Sequence, residues 1–245
     1  MLSSKWSRLL LAVVFLFVSS CSSCSKDDPP PQTTSVPLQV ESGFDFEQEA
    51  FVFTNFGGDI DAYKLTPSLV VRMFGEEAVC LPDASPCELS APARAWMQQA
   101  NTAMFQGRSE GFAIASLLFH AGQLSPSDFG ADTAAGLSVT GNAALQQELA
   151  YWSATQFVPS ALSEDERFQA KDVMPFLASA LAPDSEKHYR LAIAQRTGDG
   201  FQRGHALVPI GYYKGEDGEY LLRLYDNNFP QQETRLSIKP EENSW

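Results

Sequence analysis

The spacing of apolar and polar positions changes once along this chain, near His188. Before it, apolar residues recur at helical intervals between capping residues. Thr66-Pro67, with Thr as cap and Pro in the first turn, predicts a helix through Phe74. Ser90 opens a second helix through "APARAWMQQANTAMF". The stretch Ser109 to Ala121, "SEGFAIASLLFHA", is apolar on every side and closed by Gly122, the pattern of a helix buried in the middle of a domain. Asn142 caps "AALQQELAYWSATQF", and "SEDE" at Ser163 to Glu166 has the form of a capping box for a further helix. "EAFVFTNF", Glu49 to Phe56, is a candidate short strand.

After His188 the period becomes two. "HYRLAIAQR" alternates Tyr189, Leu191 and Ile193, and Gly198 to Gly200 form a turn. "HALVPIGYY" and "EYLLRLYD" flank the turn "KGEDG" as a hairpin, and "TRLSI" is a final strand. Helices followed by antiparallel strands predict an α+β domain, not the alternation that builds a parallel sheet. The sequence contains no internal repeat and no glycine-rich phosphate loop.

The N-terminus obeys other rules. Lys5 and Arg8 precede an unbroken apolar run, Leu9 to Val18, and small residues follow, which is the layout of a secretory signal too short to span a bilayer stably. The first twenty residues are therefore expected to stand outside the fold. Residues 21–40 are rich in Ser, Pro and Thr and form a tether, leaving 41–245 as one domain with a sizeable core. "VSSC", Val18 to Cys21, resembles the lipobox of bacterial lipoproteins. That resemblance implies lipidation of Cys21 as the mature N-terminus and anchorage in the cell envelope. Ser22, where an Asp would signal inner-membrane retention, implies the outer membrane. Removal of Lys5 and Arg8 with the signal takes the net charge from −13 to −15, and so acidic a surface disfavours nucleic acid and anionic lipid as partners. Attachment to the membrane is then through lipid, not charge.

Four cysteines are present, Cys21, Cys24, Cys80 and Cys87. In an oxidising compartment "CLPDASPC" predicts a local disulfide between Cys80 and Cys87, and neither is then free as a nucleophile. Metal binding is the weaker option, because only three His exist and none lies close in sequence. No cofactor or metal is expected.

"GRSEG", Gly107 to Gly111, matches the G-x-S-x-G elbow of serine hydrolases. That elbow needs an apolar strand before the Ser, an upstream oxyanion segment and the order Ser, acid, His. Here "QQANTAMFQGR" looks like the end of a helix, and His205 precedes Asp226. The order Ser109, His205, Asp226 suits another architecture. "HALVPIGYYKGEDGEYLLRLYDNN" resembles the His-to-Asn hairpin of papain-like cysteine peptidases, with His205-Ala206 opening a strand, Gly211-Tyr212 six residues on, and Asp226 in the place of the orienting Asn. "RSEGF" resembles the helix start of the related NlpC/P60 hydrolases, with Ser109 on the position of their Cys; aligning Gln106-Gly107 with papain's own "QG" would instead put Phe112 there. The resemblance implies a papain-like fold with a long central helix packed on an antiparallel sheet. It also implies a nucleophile–His–acid site in which a hydroxyl replaces the thiol.

A helix N-terminus and a neighbouring imidazole stabilise a thiolate, whereas a hydroxyl must lose its proton as it attacks. A degenerate site is the first expectation. The alternatives are an active peptide, amide or ester hydrolase using Ser109, His205 and Asp226, and an ordinary serine esterase on a parallel sheet. Alternation places Tyr220, Leu222, Leu224 and Asp226 on one face, which His205 can share, and Asn228 is the alternative orienting residue. Ser109 also suits a helix cap, Glu110 suits the helix dipole, and His205 and Asp226 suit purely structural roles at strand ends. His120 and His188 are expected at the solvent, and Asn243 in "ENSW" is a coincidental match to papain's "NSW". The Phe-rich stretch "GFDFEQEAFVFTNF" is core material first and would also suit a groove for a peptide or small apolar ligand.

Mass analysis of the mature protein is expected to find an acylated N-terminal Cys21, and the Cys21→Ser form is expected in soluble fractions, since two acyl chains suffice for stable anchoring.

Overall fold

The computed structural model describes residues 13–17, 37–58, 63–162, 166–197 and 200–245. Its helices are α1 (Phe46–Glu49), α2 (Pro67–Phe74), α3 (Glu76–Val79), α4 (Ala91–Ala103), α5 (Ser109–His120), α6 (Ala143–Ala154), α7 (Pro159–Leu162) and α8 (Val173–Ala180). The strands are β1 (Val13–Phe17), β2 (Gln39–Glu41), β3 (Glu166–Gln169), β4 (Arg190–Thr197), β5 (Gly200–Lys214), β6 (Tyr220–Tyr225) and β7 (Glu233–Ile238). The domain is α+β, with helices filling the first half and antiparallel pairing throughout β4, β5, β6 and β7.

The predicted helix starts at Thr66 and Asn142 form for the expected reason. Thr66 Oγ1 accepts from Leu69 N–H at 3.4 Å and Asn142 Oδ1 from Leu145 N–H at 3.2 Å, each satisfying a donor that the first turn leaves open. Ser90 precedes α4 without a side-chain cap. The helix expected to follow the capping box is not found among the described residues. Glu166 begins β3, which pairs with β1, and the next helix waits until Val173; Ser163 to Asp165 lie outside the described residues, as does most of the expected Gly198–Gly200 turn.

The Glu49–Phe56 strand is also absent. Phe51, Phe53 and Phe56 do not alternate between faces. All three pack edge-on against Phe112 of α5, so an irregular loop serves them better than a pleated strand.

The sheet order is β3-β1-β4-β5-β6-β7, with β2 pairing β5 off that path. Its spine is the 15-residue β5, whose first half pairs β4 and whose second half pairs β2 and β6. Two departures from expectation lie at the N-terminus. Gln39 and Val40, assigned to the tether, pair with Tyr213 and Tyr212, and Val40 gains a place against the apolar cluster under the sheet. Val13 to Phe17, within the expected signal, lies parallel to both β3 and β4, as a β-branched and aromatic run can. Residues 18–36, including Cys21 and Cys24, lie outside the described residues.

Alternation along β5 divides the core. Ala206 and Val208 meet Ala113 and Leu117 of α5, whereas Leu207 joins Leu177 of α8 and Leu224 of β6. Helix α5 is thus covered by the sheet on one side and by α6 and the Phe cluster on the other, and Glu110 to Phe119 are all buried. Among the described residues no helix is long and apolar enough to cross a membrane.

Cys80 and Cys87 are joined as a disulfide, with Cα atoms 5.4 Å apart. Glu76 lies beside the two sulfurs. With the sulfurs bonded to each other they supply no thiolate, which leaves one exposed carboxylate and no metal site.

His120 and His188 are not the solvent-facing residues expected. Their rings meet edge-to-face at 4.9 Å, and His120 Nδ1 lies 2.8 Å from Glu49 Oε2. Burial, with His120 adding to it, holds the His188 ring below its ordinary pKa, and Glu49 offsets only part of this. The unfolded chain therefore binds the extra proton first as pH falls. The stabilisation is complete above about 6.5 and is lost on acidification below it. Thermal unfolding between pH 5 and 8 is expected to show a shallower acid limb for His188→Gln than for the parent.

Candidate functional site

A helix buried on every side must satisfy its first N–H groups from inside the protein. Ser109 does not cap α5: Arg108 is the N-cap residue, without a side-chain cap bond, and Ser109 is the first helical residue. The cap comes from α6, where Ser153 Oγ accepts from Gly111 N–H at 3.1 Å and donates to Arg108 O at 3.2 Å. This explains both glycines of the G-x-S-x-G match. A Cβ on Gly111 would stand 2.1 Å from Leu149 O and 2.4 Å from Ser153 Oγ, so only glycine lets α5 and α6 approach this closely. Gly107 has φ 154° and would set a Cβ 2.9 Å from Asn55 Nδ2.

The sequence-predicted residues meet at this end of α5. His205 Nε2 lies 2.7 Å from Asp226 Oδ1, and both side chains are mostly buried. The same carboxylate oxygen accepts from Asn228 N–H at 2.8 Å, and Asn228 Nδ2 lies 3.3 Å from His205 Nε2. Both candidate orienting residues therefore reach one ring nitrogen, and Nδ1 has no hydrogen-bond partner among the described residues.

Ser109 Oγ accepts from Ala206 N–H at 3.2 Å. Covalent geometry then puts Oγ no more than about 6 Å from His205 Cα. Among the described residues no hydrogen bond joins the hydroxyl to the imidazole. Glu110, expected to act on the helix dipole, instead lies 2.5 Å from Arg190 Nε in an ion pair buried on both sides, which pins the first turn of α5 to the start of β4. Asn243, away from this network, accepts from Lys171 N–H and donates to Gln169 Oε1.

Three residues of the site were not singled out by sequence. Asn227 is fully buried and donates to Ser109 O at 3.2 Å and Ala206 O at 2.9 Å, joining helix to strand. Asn55 takes Arg108 N–H on Oδ1 at 2.7 Å and gives Nδ2 to Asn228 Oδ1 at 3.2 Å. Arg108 is buried, donating Nε and Nη2 to Tyr63 O and Nη1 to Phe56 O, and that burial lowers its pKa. The "DNN" run was the available signal for Asn227. Nothing local marks Asn55, which reaches the site from over fifty residues upstream.

Comparisons with models of known protein families, with curated proteins and with solved structures find no match to this chain. What the arrangement can do is therefore argued from its chemistry. A His held by a carboxylate through one nitrogen, with the other unpartnered among the described residues, is equipped to take a proton.

Gly111→Ala is expected to cost about 3 kcal/mol or more in urea unfolding, because backbone and not a flexible side chain must yield. Ser153→Ala, which strands Gly111 N–H without a clash, is expected to cost about 1–2 kcal/mol.

Proposed function

We propose that this chain is an exported lipoprotein, anchored through Cys21 in the bacterial cell envelope at the outer membrane, its maturation removing β1 from between β3 and β4. Its domain has a papain-like arrangement whose thiol site is degenerate, and it serves as a binding or structural module. Three features support the papain-like reading: the order of helices then sheet, the N-terminus of a buried helix set against the strand that carries His205, and the His205–Asp226 contact.

The observation that carries degeneracy is the state of the Ser109 hydroxyl. It accepts a backbone N–H from Ala206 and gives no hydrogen bond to the imidazole one residue away. A serine nucleophile depends on that ring to remove its proton as it attacks, whereas a thiol beside the same helix terminus would ionise in advance. Ser109 with Asn227 instead ties α5 to β5, a structural use of the nucleophile's position.

One observation favours the second reading, an active peptide, amide or ester hydrolase: His205 presents Nδ1 without a partner among the described residues while Asp226 holds Nε2, the polarity a general base needs. The parallel-sheet esterase has less support, since the strands that carry His205 and lead to Asp226 are antiparallel.

The test restores the thiol. In a background carrying Cys21→Ser and Cys24→Ser, Ser109→Cys is expected to react with an alkylating agent at neutral pH faster than an exposed reference cysteine, and adding His205→Ala is expected to remove most of that advantage. The parent protein is expected to resist serine-directed fluorophosphonates. Stoichiometric labelling of Ser109 by such a reagent would establish the hydrolase instead, and a sluggish Ser109→Cys would reduce Ser109 to a structural residue.

A further inference from the structure

The side-chain amides between α5 and His205 are oriented from one end. Arg108 N–H is a backbone donor that cannot be reversed, and the Asn55 atom 2.7 Å from it must be oxygen. Asn55 then presents Nδ2 to Asn228, whose facing atom at 3.2 Å must be Oδ1. Asn228 is left presenting its own Nδ2 to His205, 3.3 Å from Nε2. The polarity of two amides follows from one peptide group at the helix start.

The result at His205 is a conflict. Asp226 Oδ1, at 2.7 Å from Nε2, is an acceptor and favours a proton on that nitrogen. Asn228 Nδ2 is a donor and favours a lone pair there. Reversing Asn228 alone would set two NH2 groups against each other at the Asn55 contact. Reversing both amides would set Asn55 Nδ2 against Arg108 N–H. The mismatch can be moved along the chain of amides but not removed from it.

We infer that Asn55, which makes no hydrogen bond to Ser109 or His205, is a positioning residue that sets the tautomer of His205 by holding Asn228 with its N–H toward the ring. The proton that Asp226 draws to Nε2 is opposed by Asn228, so part of the population carries that one proton on Nδ1 instead, the nitrogen that a base must keep bare. The functional meaning of this rests on the degenerate-site reading: the same opposition weakens His205 as a base toward whatever stands at position 109. The tautomer claim does not depend on that reading.

Ring-nitrogen NMR on the 15N-labelled full chain at alkaline pH, where imidazole is neutral, reads the two tautomers directly. The His205 signals are those lost in His205→Gln. The parent is expected to show both forms. Asn55→Ala frees Asn228 to turn its oxygen toward the ring, and the ratio of Nε2–H to Nδ1–H is expected to rise about tenfold. Asn228→Ala removes the opposing donor at an exposed position without adding charge and is expected to act in the same direction; it tests the opposition at Nε2 if Asn55→Ala does not fold.

A parent ring wholly in the Nε2–H form would overturn the inference, as would an unchanged ratio in a folded Asn55→Ala. An effect of Asn228→Ala without one of a folded Asn55→Ala would show that Asn55 does not hold Asn228 and would overturn it too, and so would an unchanged ratio in Asn228→Ala. Alkylation of Ser109→Cys, with and without Asn55→Ala, separates this from the site reading. A tautomer shift with no gain in rate upholds the relay and counts against a nucleophile's place at Ser109.

Discussion

The structure depends on the burial of the first turn of α5. A helix whose residues Glu110 to Phe119 are all removed from water cannot leave its N-terminal donors to solvent, and its own sequence supplies no capping side chain at Arg108. The donors and acceptors of that turn are therefore answered by other elements. Ser153 answers from α6, Asn55 from the Phe-rich loop, Asn227 from beyond β6, and Ala206 from β5. Each contact joins the same turn to a different part of the chain, so the helix start is the point where the helical half and the sheet are fastened together. The candidate site is a by-product of that fastening: the residues that could do chemistry stand there because the fold converges there.

Charge follows the same logic. Glu110 and Arg190 are both buried and satisfy each other across the helix–sheet boundary, an arrangement that contributes little net stability but makes loss of either partner costly. It also fixes the rotation of α5 about its axis, and with it the direction in which the side chain of Ser109 points. The placement of Ser109 is thus maintained by a structural ion pair whether or not any reaction uses it.

How much of this was legible in the sequence varies with the kind of information. The α+β division, α5 as a helix apolar on all sides and the β5–β6 hairpin followed from period and turn residues, which are local properties; the meeting of His205 with Asp226 was suggested by the hairpin's resemblance to that of papain-like peptidases, with alternation only permitting it. The Glu49–Phe56 strand failed because its phenylalanines answer to Phe112, a partner some sixty residues away, and not to a pleat. The capping box at Ser163 failed because a four-residue pattern carries no information about whether β1 needs a neighbour. The G-x-S-x-G match, already set apart from a hydrolase elbow by residue order, has a structural origin. Its glycines are required, but by the backbone of α6 and the side chain of Asn55, not by a strained strand-to-helix turn. Asn55 itself was invisible, because its role exists only after the chain has folded back on Arg108.

Arg108 has a consequence for how this protein can vary. One guanidinium holds Phe56 O and Tyr63 O together, so two points of the chain that flank residues 57–62 are joined by a group rooted in the core. Lengthening the chain between those two points adds only a slowly growing closure entropy. The segment between 56 and 63 is accordingly a natural port. Residues can be inserted or exchanged there by evolution or by grafting, a few positions from Asn55, with the core-side clamp left in place.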